Sequence, residues 1–277
     1  MIKITIVSTK GGVGKTTLTA NMGGILADFG YRVLLIDADP QPTLSSYYRI
    51  RQRAEHGLQH FLVNATVDTV ISQTSIDNLD IILSDDPQGK LRDWIRDTVD
   101  GRVRLKYSLM QLEARYDFVL IDTQGAVGPL QDAAVAAADF MLSPIPPEIL
   151  SAREFVRGTV AMIQRLEPMA RLGAPIGPLR GVIYRQDRTI DARNIAEELR
   201  KAAFLPSKGA ISILNTVIPN AVAYREAATH KMPVHRFEPK RKGKGMSALE
   251  TMKALARELI PNLPDLDLSV LEQEILS

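Results

Sequence analysis

The chain contains no cysteine. That absence excludes disulfides, thiolate zinc centres and cysteine-ligated iron–sulfur clusters, and it fits a cytosolic setting. No apolar run approaches the ~20 residues needed to span a bilayer. No internal repeat and no low-complexity linker is present. Excess charge is scarce too. With 34 Lys and Arg against 32 Asp and Glu, the formal net charge is +2, so any nucleic-acid binding must come from local patches. From about residue 261 onward the chain carries Asp265, Asp267, Glu272 and Glu274 and no basic residue, so an anionic membrane would repel this tail. No N-terminal signal segment is expected, because an apolar strand begins at once. What is present is ordinary for a globular protein. The 277 residues, 45% hydrophobic and 24% charged, suffice for one large α/β domain or two small ones.

The most informative stretch opens the chain. Ile2-Lys3-Ile4-Thr5-Ile6-Val7 alternates and then runs continuously apolar, as a buried parallel strand does. Ser8-Thr9-Lys10-Gly11-Gly12-Val13-Gly14-Lys15-Thr16-Thr17 follows, and then a helical pattern through Leu18, Met22, Ile25, Leu26 and Phe29. Strand, glycine-rich turn, Lys-Thr and helix form the layout of a phosphate cradle. Gly11, Gly12 and Gly14 let the backbone bend around an anion with its N–H groups pointing inward. The helix presents its positive N-terminal end to the same anion. Lys15 supplies a point charge to the phosphates, and the Thr16 hydroxyl is placed to ligate Mg²⁺.

Two further strands end in carboxylates. Val33-Leu34-Leu35-Ile36 leads into Asp37-Ala38-Asp39-Pro40-Gln41. Residues there lie at the ligand edge of an open α/β sheet, although Asp and Pro also suit a helix cap or turn. Tyr116-Asp117-Phe118-Val119-Leu120-Ile121-Asp122-Thr123 has the layout of a Walker B strand, whose Asp holds a water on Mg²⁺. Gln124-Gly125 follows, and Gly125 is a candidate for bringing a backbone N–H toward the terminal phosphate.

Between and beyond these strands the pattern predicts a helix over 43–62, a short strand over 79–84 and a long helix from Asp86 to about Leu112. It then predicts a small-residue helix over 133–138, a strand over 139–145 and a helix over 149–166. A strand at 179–184, a helix over 190–203, a strand at 211–218 and a final helix capped by Ser247 complete the series. Strands alternate with helices throughout. The expected fold is therefore α/β, a single doubly wound, mostly parallel sheet flanked by helices, with residues 1–277 as one domain ending in an acidic tail.

The loop departs from G-x-x-x-x-G-K-[ST], because Thr9 stands at its first glycine and Lys10 at its entrance. This K-G-G-V-G-K-T-T variant is a deviant Walker A motif. In it the chain resembles the ParA/MinD superfamily of P-loop ATPases, and within it the ParA-type partition ATPases. The missing cysteines separate it from the cluster-binding reductases and scaffold ATPases of that superfamily. The resemblance implies ATP as substrate and switch ligand, Mg²⁺ as cofactor, and a nucleotide site built from residues 10–17. It implies that Asp39 positions or activates the attacking water and that Asp37 supports the Mg²⁺ water shell. It implies that Lys10 reaches across a homodimer interface to the partner's phosphates. Relatives carry Pro-Pro where this chain has Gln124-Gly125. The block from Ile218 resembles the family's adenine-packing loop, which implies base contacts for Pro219 and Asn220. A helix N-terminus beside a β-edge turn is the other reading of those two residues.

A ParA-type reading further implies an ATP-bound dimer that binds DNA non-specifically at the nucleoid and is released when a ParB-type partner stimulates hydrolysis. The basic candidates for DNA are Arg185, Arg188, Arg193, Arg200, Lys201, Arg225, Lys231 and the loop from Lys240 to Lys244. A solvated surface is the plainer reading of each alone. Two alternatives use the same ATP chemistry, a relative that positions a protein cargo and a MinD-like membrane-cycling ATPase. The acidic tail argues against the latter, and no membrane partner is expected.

Overall fold

The computed structural model describes residues 1–187, 189–204, 210–241 and 243–266. Arg188, Lys242 and most of the acidic tail, including Asp267, Glu272 and Glu274, lie outside the described residues. The elements in order are β1 (Ile2–Ile6), α1 (Lys15–Asp28), β2 (Val33–Ala38), β3 (Ile50–Gln52), α2 (Leu58–Asn64), β4 (Ile71–Thr74) and β5 (Leu79–Ile82). Next come α3 (Lys90–Asp97), α4 (Gly101–Met110), β6 (Phe118–Thr123), α5 (Pro129–Ala137), β7 (Phe140–Ile145), α6 (Ile149–Leu166), β8 (Leu179–Gln186) and α7 (Ile190–Phe204). The last are β9 (Ile211–Pro219), α8 (Ala223–Thr229), α9 (Val234–Phe237) and α10 (Ala248–Leu259).

The nine strands of the described residues join one sheet, in the order β3-β4-β5-β2-β6-β1-β7-β8-β9. Every pair from β5 to β9 is parallel. Only β4 runs against its neighbours, at the β3 edge. The expected doubly wound, mostly parallel sheet is what forms. The central strands are apolar at nearly every position because both of their faces are covered. Successive side chains point to opposite faces, so Leu35 joins α1 and α10 in one core, while Leu34 and Ile36 join α2, α3, α4 and α5 in another. A third core seats Met162 of α6 and Leu199 of α7 against Met141 and Ile183. Ser247 caps α10 as expected. Its hydroxyl accepts the Glu250 N–H, and the Glu250 carboxylate accepts the Ser247 N–H. Among the described residues no helix is long and apolar enough to cross a membrane.

Two expectations fail. The segment 43–62 is not one helix. It holds a 3₁₀ turn at Leu44–Ser46, then β3, and α2 begins only at Leu58. Its apolar residues serve opposite faces of the sheet: Leu44, Tyr47 and Tyr48 pack in the α1 core, whereas Leu58, Phe61 and Leu62 pack in the α2 core. No single helix reaches both. The expected long helix from Asp86 is divided into α3 and α4, because Thr98 is extended and Gly101 turns the chain against Ile95, whose carbonyl oxygen lies 2.2 Å from where a Cβ would stand. The strand β4, Ile-Ser-Gln-Thr, was too short and polar to register in the sequence pattern.

Candidate functional site

The loop between β1 and α1 lies at the carboxyl edge of the sheet. Gly12 and Gly14 take left-handed backbone, with φ of 73° and 99°. At Gly14 no side chain is possible, since a Cβ would stand 2.2 Å from the Tyr184 ring. Val13 is buried, while Lys10, Gly11 and Gly12 are exposed. Among the described residues no side chain caps the N-terminus of α1, which leaves its first N–H groups for a ligand. Lys15 stands there with 7% of its surface exposed. Burial lowers its ammonium pKa, and the charges of Asp122 and Asp39 offset that only in part. A buried cation beside uncapped amides is a site for an anion.

The acidic residues meet beneath it. The Thr16 hydroxyl donates to Asp122 Oδ2 at 2.6 Å. Asp122 is fully buried, and its Oδ1 has no hydrogen-bond partner among the described residues. Burial pushes its pKa up to about 7 against the Thr16 bond, with Asp37 adding repulsion. Asp37, also fully buried, is raised to about 6 by burial, although the Ser45 hydroxyl and N–H both donate to it. Asp39 is half-buried; its N–H donates to Asp37 Oδ1 at 3.3 Å and its Oδ1 accepts the Gln41 N–H at 2.9 Å. A hydroxyl, an orphaned carboxylate oxygen and a second buried carboxylate form a hard oxygen donor set of the kind Mg²⁺ takes together with water. The residues present fit that ion.

Beside Thr17 at the start of α1 lies a cavity of about 460 Å³, lined by Thr17, Tyr184, Pro219, Asn220, Tyr224 and Arg225. That volume suits a nucleoside. Pro219 and Asn220 are therefore brought beside Thr17 and the loop. Asn220 is oriented by Asp187, whose Oδ1 accepts its side-chain N–H at 2.9 Å. Gly125 also reaches the loop, because a Cβ on it would stand 2.7 Å from Gly11 Cα.

Two further residues line this site without belonging to any nucleotide motif of the sequence. Tyr184 looked like the end of an apolar strand, yet its ring forms the wall against Gly14. Arg185, one of the candidates for DNA contact, has a left-handed φ of 58° and donates to the Gly12 carbonyl at 3.3 Å. The other DNA candidates divide. Arg200 donates to the carbonyls of Leu214 and Asn215, and Arg241 pairs with Glu238. Arg193, Lys201, Arg225, Lys231, Lys240 and Lys244 are exposed, and Arg188 and Lys242 lie outside the described residues.

Comparison with known proteins adds three findings. The family AAA_31, described as an AAA domain, matches residues 1–170. The sporulation initiation inhibitor protein Soj of Bacillus subtilis is 31% identical over 94% of this chain and 98% of its own length. Among solved structures, the ATP complex of Cyanothece McdA(D38A) superposes with a TM-score of 0.77 at 22% identity, covering 96% of this chain and 99% of that one.

Proposed function

The chain belongs to the ParA/MinD family of P-loop ATPases, and from that premise we propose that it is a cytoplasmic ATPase that partitions DNA. The observation that carries the ATPase reading is one constellation. Lys15 is buried at the uncapped start of α1, with the Thr16–Asp122 contact of 2.6 Å beneath it and a nucleoside-sized cavity alongside. The chain acts as one ATPase unit. The loop N–H groups of residues 10–17 and Lys15 bind the phosphates of ATP. Thr16 and Asp122 hold Mg²⁺, which neutralises charge on the phosphoryl group, and Asp37 supports its water shell. Asp39 orients the attacking water. Pro219 and Asn220 pack on adenine. Lys10, at the exposed loop entrance, completes the phosphate site of a second copy, so dimerisation depends on ATP.

The ATP-bound dimer binds DNA through exposed cations of the C-terminal half, among them Arg193, Lys201, Arg225 and Lys231. A ParB-type partner on the cargo stimulates hydrolysis and release. Fluorescence anisotropy of a random-sequence duplex titrated with the protein tests this reading, in Mg²⁺ with ATP, with ADP and without nucleotide. Binding with ATP alone, weakening as salt is added, is the expected result. ATP-driven dimerisation with no DNA binding in any state would overturn the DNA reading and move the cargo to a protein scaffold.

A further inference from the structure

The acidic residues of the site are held by a stretch of chain outside every recognised motif. Ser45 lies in the 3₁₀ turn after β2, and its N–H and its hydroxyl both donate to Asp37 Oδ2, each at 2.7 Å. The same hydroxyl accepts the backbone N–H of Ser84 at 2.9 Å. Ser84 stands just beyond β5, the strand beside β2, and its own hydroxyl donates to the Asp39 carbonyl at 2.7 Å. Asp39 is therefore held on both sides of its Cα, by Asp37 at its N–H and by Ser84 at its carbonyl.

Ser84 is itself rigidly mounted. The next residue, Asp85, accepts the N–H groups of Gly57 and Gln59 at the start of α2, at 2.8 and 2.7 Å. Asp86 accepts those of Lys90 and Leu91 at the start of α3, at 2.9 and 2.7 Å. The segment Ser84–Asp86 thus ties the two helix starts to the acidic loop. Two donors on Asp37 Oδ2 fix the rotamer of that carboxylate and aim Oδ1 at the Asp39 amide. Charge-assisted bonds of this kind are the strong ones, and outer partners of this kind decide whether an inner group is held in productive geometry.

We propose that Ser45 and Ser84 are positioning residues for the hydrolytic step, holding Asp37 and Asp39 where the phosphoryl group and the attacking water need them. The inference rests on the ATPase reading above. Neither hydroxyl touches nucleotide in this scheme, so the rate of the chemical step should fall while nucleotide affinity persists.

Steady-state hydrolysis, binding of a fluorescent ATP analogue with Mg²⁺ and the thermal midpoint, measured on full-length wild type, Ser45→Ala, Ser84→Ala and Ser45→Thr, test it. The expected result is a kcat lowered by about 10–100-fold in both alanine variants, with analogue affinity changed by less than about 2-fold and most of kcat recovered in Ser45→Thr. Wild-type kcat in Ser45→Ala or Ser84→Ala overturns the proposal, whatever happens to the thermal midpoint. A Ser45→Thr protein as slow as Ser45→Ala overturns it too, because the hydroxyl would not be the operative group. If Ser45→Ala does not fold, Ser84→Ala decides by the same two numbers. Wild-type protein that binds the analogue without hydrolysing ATP would instead overturn the ATPase reading itself.

Discussion

Asp37 and Asp122 are register partners on the adjacent parallel strands β2 and β6, and both are fully buried. Register partners on one pleat share a face, so two carboxylates face the same small space beneath Lys15. Burial raises both pKa values, to about 6 and about 7, which marks a place where negative charge lacks compensation. A divalent cation supplies that compensation. In Asp122→Asn the Thr16 hydroxyl keeps an acceptor while the charge is lost. Mg²⁺ should then no longer tighten ATP binding, and hydrolysis should fall by about 100-fold or more. Calorimetric ATP titrations with and without Mg²⁺ check this, and Mg²⁺-tightened binding in the variant would remove Asp122 from the metal site.

Lys10 stands exposed at the mouth of the loop, its N–H bonded to the Ser8 hydroxyl at 3.1 Å. Lys15 is buried, and the proposed function places it at the phosphates bound by its own chain. This division predicts that Lys10→Ala binds ATP with affinity within about 3-fold of wild type but no longer forms the ATP-dependent dimer. Light scattering with a slowly hydrolysed ATP analogue reads the dimer directly. Normal dimerisation would refute the cross-interface role.

Gly125 touches the phosphate loop through backbone alone. A Cβ there would approach Gly11 Cα to 2.7 Å and Gly11 N to 2.9 Å, distances that force one loop to move. Gly125→Ala should therefore weaken ATP binding by about 10-fold or more, since a displacement of about an ångström at a binding loop has effects of this size. Unchanged affinity and unchanged ATP-dependent dimerisation would show that the Gln124-Gly125 turn has no part in the site.

A pH dependence follows from the far end of α1. His235 is fully buried, and its Nε2 lies 2.6 Å from Asp28 Oδ2, to which it donates. Arg236 also pairs with Asp28, and the buried Tyr48 packs in the same core. Burial lowers the pKa of His235, and the attraction of Asp28 recovers only part of the loss. For Asp28, burial alone would raise the pKa, but the bonds from Arg236 and His235 outweigh it and hold the carboxyl low. The folded protein thus resists the proton that the unfolded chain takes up near the ordinary histidine value. The stability from His235 is present above that value and is lost as pH falls below it, with a slope of at most about 1.4 kcal/mol per pH unit. Urea unfolding of wild type and His235→Gln between pH 7.5 and 5 should show the wild type losing stability relative to the variant as pH falls, a difference that isolates His235 from Asp37 and Asp122, whose raised pKa values act in the opposite sense in both proteins.

Local chemistry was enough to read much of this protein from its residues. The glycine loop, Lys15 and Thr16 are contiguous, and apolar runs ending in Asp37 and Asp122 declare parallel strands and their ligand edge without any knowledge of packing. The capping box at Ser247 is equally local. What could not be read is what depends on distant segments meeting. Leu44 and Leu58 look like one helical pattern until the sheet edge sends them to opposite cores. Tyr184 is an unremarkable strand residue until its ring closes on Gly14, 170 positions earlier in the chain. Ser45 and Ser84 carry no motif at all, and only the pairing of β5 with β2 brings their hydroxyls to the two aspartates. Turns, caps and strand periodicity are set by a residue's immediate neighbours, whereas the partner of a buried polar group is set by which strands lie side by side.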